Sequence, residues 1–405
     1  MNQTKKVRII LSIIAISFIQ GLQFSISPVL GQIKEYYPHV SVSLVQMLIT
    51  TPALLSMAVA LASGVLVTKT SKKKLLLFAC FIAGITGFIP FLSDSFSLLF
   101  LSRSCYGIAL GLACTLNTAV VAEFFEGDER VSVMGIQAAS VGAGMVIITA
   151  LGGILGSLGF QATFFIHGIA FLCFAVIGIC LPDTGRTGTS GGGAVRLNGT
   201  VLKISLLGMV VFLFIITYTT NISMHLEGKI AGDSTVAGLL TGIFSGAQIV
   251  MGLFLGNVVK KTGIYTLPAA MFLFCAGGVL LILFPASVVM LMAGGALCGL
   301  SQGMFVPRAM CEVSDAVAPA AAAMAAASLT CFMCLGQTIS PFVLNAVSKL
   351  AFQSITTGYV YLIAVTGMAV AASVVMIGKT VTFDAELDII ILLCICLNTI
   401  YTIME

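Results

Sequence analysis

The sequence predicts an all-α membrane protein: twelve transmembrane helices in two pseudo-symmetric six-helix bundles. Three observations carry that prediction. Apolar runs recur from end to end, charge is scarce, and landmarks repeat at one offset along the chain. Hydrophobic residues make up 59% of the 405 residues and charged residues 8%, too few to give a soluble chain of this length a polar surface. The runs are about 20 residues long, the length a helix needs to cross a hydrocarbon core of ~30 Å. Helices are required because in lipid every backbone N–H and C=O must be satisfied inside its own segment. A membrane barrel would read as alternating segments of about ten residues, and none occur.

The first run, near 8–30, follows the basic start MNQTKKVR and so imitates a signal peptide. No small-x-small cleavage site closes it, and it continues past Gln20 and Gln23 to Leu30, so it reads as an uncleaved span. Further spans are expected near 43–67, 75–93, 97–121, 133–157 and 161–181, and then near 203–224, 235–259, 264–285, 287–311, 321–346 and 358–378. Between the two sets lies LPDTGRTGTSGGGAVRLNGTVLK, a Gly/Ser/Thr-rich stretch that reads as a flexible linker. The expected division is an N-terminal six-helix bundle over 1–181, a cytoplasmic linker over 182–202 and a C-terminal bundle over 203–378. A tail over 379–405 carries the apolar segment 389–404, which is short for a span and is expected to be interfacial or loosely docked.

Orientation follows from the basic residues. The N-terminus, the even-numbered loops and the start of the tail hold fourteen Lys and Arg, against three (Lys34, Lys229, Lys349) in the odd-numbered loops. That bias places the N-terminus in the cytoplasm and makes Lys69, Lys72, Lys73 and Lys74 the cytoplasmic turn between spans 2 and 3. The net charge of +4 is gathered in such turns rather than along one face, so nucleic acid is not an expected partner. The twelve cysteines fall in or beside apolar runs and read as small buried hydrophobes.

At an offset of 192 residues Gly64 falls on Gly256, Lys69 on Lys261, Thr70 on Thr262, Gly107 on Gly299, Gly111 on Gly303, Glu123 on Asp315 and Gly144 on Gly336. Two similar halves of six spans suit a carrier whose substrate binds at the midplane. The motifs on this frame resemble those of the major facilitator superfamily (MFS) over roughly 8–378. Its G-x-L-x-D-R-x-G-R-K after span 2 reads here Gly64, Leu66, Thr68, Lys69, Ser71, Lys72 and Lys73, with threonine at the acidic position and serine at the second glycine. The second copy reads Gly256, Val258, Lys260, Lys261 and Gly263. Span 4 carries Arg103, Gly107 and Gly111, similar to R-x-x-x-G-x-x-x-G. Span 5 carries Gly144 and LGGILGSLGFQATFF, similar to the glycine-rich span and the G-W-R-x-x-F that follows it. The antiporter form of span 5 has Gly-Pro where this chain has Ile148 and Thr149.

The resemblance implies the MFS fold and a secondary active transporter of the bacterial cytoplasmic membrane, working by alternating access, with no cofactor and no metal. Proton-coupled drug-type efflux is the first expectation. Facilitated or symport uptake of a small metabolite is the alternative, and a non-transporting receptor on a carrier fold stands behind it. No catalytic constellation is present, so an enzyme is not expected. Expected partners are a small-molecule substrate, the lipid bilayer and, for coupling, protons, with a monomeric chain.

Cavity candidates are the neutral polar residues within spans: Gln20, Gln23, Asn117, Thr217, Tyr218, Asn221, Gln248, Gln302 and Gln337. As a set they favour a neutral or amphipathic solute, although a lone polar side chain often only bonds a neighbouring helix. No acidic residue lies near the middle of a span. Coupling or gating candidates are therefore Arg103, Arg308, Glu312, Glu123, Lys69 and Lys73, with His167 early in span 6 a further titratable group. Arg308 and Glu312 have helix-pair spacing. The glycines at helical spacing serve close helix packing.

Overall fold

Apolar spacing decides which face each helix turns inward. In α1 (Gln3–Gly21) the buried residues Ile9, Ile13, Ile16 and Ile19 recur every three or four positions, one stripe of a 3.6-residue helix. In α4 (Lys72–Phe88) the opposite stripe, Phe78, Phe81, Ile85 and Phe88, is exposed while Leu76, Ala79, Cys80 and Ala83 are buried. An exposed phenylalanine stripe is at home against lipid chains.

The computed structural model describes residues 3–92, 94–186, 198–317 and 322–380. The part of the linker at 187–197, and the tail at 381–405 with its apolar segment, lie outside the described residues. Among the described residues all regular structure is helical, and eleven stretches are long and apolar enough to cross a membrane. One of them, Ser234–Leu283, has 50 residues. At about 75 Å it is more than twice the membrane core and holds two spans. Gly263, at φ 53°, opens the 3-10 turn Gly263–Tyr265 that divides it into α10 (Ser234–Thr262) and α11 (Thr266–Leu283).

The helices gather into two compact units. The first takes 1–41, 45–192 and 237–242, the second 42–44, 193–236 and 243–405. The first unit holds α1, α2 (Leu30–Tyr36), α3 (Val42–Lys69), α4, α5 (Phe96–Phe124), α6 (Gly127–Gly156) and α7 (Ile169–Cys180). Its core joins the α1 isoleucines to Ala79, Cys80 and Ala83 of α4, Leu110 and Leu116 of α5, and Cys173 and Ile177 of α7. The second unit holds α8 (Gly199–Ile215), α9 (Thr217–His225), most of α10, α11, α12 (Val288–Asp315), α13 (Ala322–Phe352) and α14 (Thr357–Thr380).

Three spans depart from straight helices. Span 1 leaves α1 at Gly21 for 3-10 turns at Leu22–Phe24 and Ser27–Val29 before α2 resumes, and Pro28 supplies no N–H to carry a helix through. Span 7 divides between α8 and α9 at Ile216, where Thr217 and Thr219 hydroxyls donate to the Phe214 and Ile216 carbonyls (2.5 and 3.1 Å). Span 6 begins as 3-10 helix, Phe160–Gly168, after Gly159 at φ 113°. Helix starts are capped by polar side chains: Ser71 accepts from the Lys74 N–H (3.4 Å), and Asp233 from those of Thr235 and Val236 (2.9 and 3.1 Å).

The 192-residue offset returns in the packing. A Cβ placed on Gly107 would meet the Pro52 carbonyl oxygen at 2.5 Å, and one on Gly111 the Ser56 oxygen at 2.6 Å. In the second unit Gly299 lies against the Phe244 carbonyl and Gly303 against that of Gln248, where a Cβ would stand at 2.6 Å. Positions 52 and 56 shifted by 192 are 244 and 248. The repeat therefore preserves contacts, helix seam for helix seam.

Candidate functional site

In the first unit α1, α5 and α6 share a polar seam. Gln20, half-buried, donates from Nε2 to the Ala113 carbonyl (3.4 Å). Asn117, fully buried, donates to the Ser17 hydroxyl (3.0 Å), and its Oδ1 has no hydrogen-bond partner among the described residues. Ser17 in turn faces the Gln137 carbonyl (3.5 Å), and Gln137 Nε2 donates to Thr118 (3.3 Å). Ser17 and Gln137 lie outside the motifs that mark sites in the sequence, and only the fold brings them to Asn117 and Thr118. Gln23, 8% exposed, turns to α3 and donates to the Ile49 carbonyl (3.3 Å).

Arg103 lies deep in this unit at 1% exposure. Its Nε donates to the Leu48 carbonyl (3.1 Å), Nη2 to the Gln23 carbonyl (2.7 Å) and Nη1 to His167 Nε2 (3.2 Å). A guanidinium only donates, so His167 accepts at Nε2 and carries its hydrogen on Nδ1. The Tyr106 ring lies 5.1 Å from the guanidinium carbon, and the Tyr106 hydroxyl donates to the Ile19 carbonyl. Among the described residues no carboxylate forms an ion pair with Arg103.

The lysine-rich turn is divided among several partners. Lys72 pairs with Glu123 (2.9 Å), the two side chains 13% and 24% exposed, so Glu123 meets neither Lys69 nor Lys73 in this structure. Lys73 donates to the Gly178 carbonyl (2.7 Å) and Arg8 to that of Ile179, which places two cations at the negative end of α7. Lys69 is exposed, and with Ser71, Lys74 and Asp183 it lines a pocket at the α3–α4 turn. Asp183 accepts from the Gly185 N–H (3.0 Å). That bond, then the Ser71 hydroxyl, then Lys74 and Lys73, hold its carboxyl below the usual carboxylate range. Thr68, at the acidic position of the motif, bonds its own helix, at the Val65 carbonyl (2.8 Å). A carboxylate therefore does stand at this turn, contributed from beyond α7.

In the second unit Thr217, Tyr218 and Asn221 are all buried. Asn221 donates to the Thr217 carbonyl (3.0 Å) and the Thr220 hydroxyl (3.1 Å), so this cluster serves the break at Ile216. The Tyr218 ring stacks on Phe244 (4.6 Å between centroids, 14° between planes), with its hydroxyl against Gly295. Gln248 is half-buried, and its Nε2 has no partner among the described residues; the same holds for the Ser301 hydroxyl. Gln302 is half-buried and Gln337 buried. Arg308 and Glu312 form the expected pair (3.0 Å), their side chains 24% and 17% exposed.

The description Major Facilitator Superfamily matches residues 12–203. A stretch of 146 residues is 23% identical to the Quinolone resistance protein NorA of Staphylococcus aureus. It covers 36% of this chain and spans 38% of that relative. Among solved structures, a mutant of the nucleoside transporter NupG superposes with a TM-score of 0.76 at 15% identity, over 91% of this chain and 99% of its own. An auto-inhibited POT family peptide transporter gives 0.76 at 11% identity, over 92% and 97%. A bacterial homologue of the human lysosomal transporter Spinster, inward-facing and unoccupied, gives 0.68 at 13%, over 100% and 98%. The sequence match over the first half and the shared fold along nearly the whole chain agree with the repeat and the helix count. This multi-pass membrane protein has the fold of these transporters, and residues 12–203, just under half of the chain, match the Major Facilitator Superfamily.

Proposed function

We propose that the chain is a secondary active transporter that moves a small organic solute across the cytoplasmic membrane by alternating access, as a proton-coupled exporter of drug-like molecules. It works as a monomer with its N-terminus in the cytoplasm. The observation that carries this reading is the neutrality of the cavity candidates buried within the spans, the one buried guanidinium, Arg103, being taken up by backbone carbonyls and His167. Gln23, Asn117 and Gln337 are each under a tenth exposed, and none is charged. Gln248 Nε2 and the Ser301 hydroxyl still have hydrogen-bonding capacity free. Such groups suit a solute with a large apolar surface and a few acceptors, the character of a quinolone, and the NorA match points the same way.

Each half contributes one bundle, and glycine seams such as Gly107/Gly111 and Gly299/Gly303 give each bundle the close packing that rigid-body rocking needs. Lys72–Glu123 ties the start of α4 to the end of α5 at the cytoplasmic side and serves as a gating contact, while Arg308–Glu312 pairs along the last turns of α12. The test uses everted membrane vesicles from cells expressing the chain, with a fluoroquinolone as probe. Energised vesicles should take up the drug above the level of vesicles lacking the chain, and a protonophore should abolish the excess. Equal uptake with and without the chain refutes drug export. Excess uptake that survives the protonophore refutes proton coupling and leaves facilitated diffusion.

A further inference from the structure

Pro52 sits inside α3 and brings no N–H, so the Leu48 carbonyl four residues earlier loses its helical donor. An orphaned carbonyl in a membrane helix has no water to turn to. The group that reaches it is Arg103 Nε at 3.1 Å, and the same guanidinium holds the Gln23 carbonyl at 2.7 Å, inside the 3-10 break of span 1. We infer that Arg103 is a positioning residue, which joins the Pro52 kink of α3 to the break in span 1 and so sets where Gln20 and Gln23 stand.

Its neighbours support the assignment. Gly107 lies one turn after Arg103, and Pro52 one turn after Leu48. A Cβ on Gly107 would press on the Pro52 carbonyl, so the glycine lets α5 close onto the kink and brings the arginine within reach. That gives the R-x-x-x-G spacing a physical reason. All three guanidinium nitrogens are engaged, the third by His167, and the Tyr106 ring covers one face. Carbonyl dipoles and a ring face take the place of a counter-ion.

The second unit is an internal control. At the 192-residue offset Pro52 becomes Phe244 and Arg103 becomes Gly295, while both seam glycines are kept. The proline and the arginine are lost together, and the Tyr218 hydroxyl occupies the place beside Gly295. Where no carbonyl is orphaned, no guanidinium is supplied.

The assignment does not depend on substrate or proton coupling, so its test needs neither. Hydrogen exchange of the purified chain in lipid nanodiscs reads the two breaks separately, through peptides covering 19–26 and 48–56, with α4 as reference. Arg103→Gln should raise exchange in both segments by about tenfold, as expected for losing a charge-assisted hydrogen bond, and leave α4 unchanged. Adding Pro52→Ala restores a donor to Leu48. The double variant should recover protection at 48–56 but not at 19–26. Should Arg103→Gln fail to fold, Arg103→Lys replaces it: a single nitrogen lacks the planar fork that reaches Leu48 and Gln23 from separate atoms, so at least one segment should still loosen. Unchanged exchange in both segments, an equal rise in α4, or recovery of neither or both segments on adding Pro52→Ala would each overturn the assignment.

Discussion

Substituting the seam glycines gives a prediction whose size follows from the packing. A methyl group at Gly111 would stand 2.6 Å from the Ser56 carbonyl oxygen and 2.9 Å from Val59 Cβ; at Gly303 it would stand 2.6 and 2.8 Å from the Gln248 oxygen and Cα. The obstacles are backbone atoms and a Cβ, which cannot rotate away. The two helices must separate by most of an ångström, and such overpacking costs about 1–3 kcal/mol. Alanine returns up to ~1 kcal/mol of helix propensity over glycine, so the net loss should be up to about 2 kcal/mol, and the gap to a glycine with free space around it about 1–3 kcal/mol. Gly252, on α10, has nothing within 4 Å of its Cβ position, so Gly252→Ala should be neutral or stabilising by up to ~1 kcal/mol. Thermal unfolding in detergent, followed by loss of the monodisperse species, should lower the midpoint for Gly111→Ala and Gly303→Ala but not for Gly252→Ala. Because the two seam glycines are equivalent in the repeat, their losses should match within error. A seam variant as stable as Gly252→Ala would refute the packing argument.

Three further predictions follow from the site geometry. Lys72→Gln or Glu123→Gln should each destabilise by about 1 kcal/mol, more than a fully exposed pair would, and the exchanged double variant Lys72→Glu with Glu123→Lys should regain most of the loss in the same thermal assay. Asp183 has a carboxyl lowered in the folded state, so its hold on Gly185 and Ser71 is complete above the usual carboxylate range and is lost as pH falls through the lowered value. Protection of the Gly185 amide, corrected for intrinsic exchange, should therefore be flat from neutral down to the ordinary carboxylate range and drop below it, whereas Asp183→Asn should remove that drop. Gln248→Ala should weaken fluoroquinolone binding by about 2–10-fold, the worth of one neutral hydrogen bond, as read by equilibrium binding to the purified protein.

The helical spans and the repeat were legible because each depends on local pattern. Twenty-residue apolar runs and an offset that maps Gly107 and Gly111 onto Gly299 and Gly303 can be read without coordinates, and the glycine contacts then fall on equivalent residues. The breaks in spans 1 and 7 were not legible, because Pro28 and the polar TYTTN each fall inside a longer run that still reads as one continuous span. Span 1 gives way where Arg103 and Tyr106, some 80 residues away, take up its carbonyls. The partners of the lysine turn were hidden for the same reason. Sequence singled out Lys69 and Lys73 from the motif, whereas the residue that reaches Glu123 is Lys72, on the side of α4 that faces α5. Asp183 sits in a stretch that reads as linker, and only the fold brings it over Ser71.

Proteoliposomes with an imposed pH gradient test the central claim most directly, since they contain no other carrier. With an acidic lumen, protons leaving through the chain should draw a fluoroquinolone inward against its own gradient, and nigericin should abolish that accumulation. Gln248→Ala should slow it. Accumulation no greater than in protein-free liposomes, or flux indifferent to the gradient, would contradict a proton-coupled exporter.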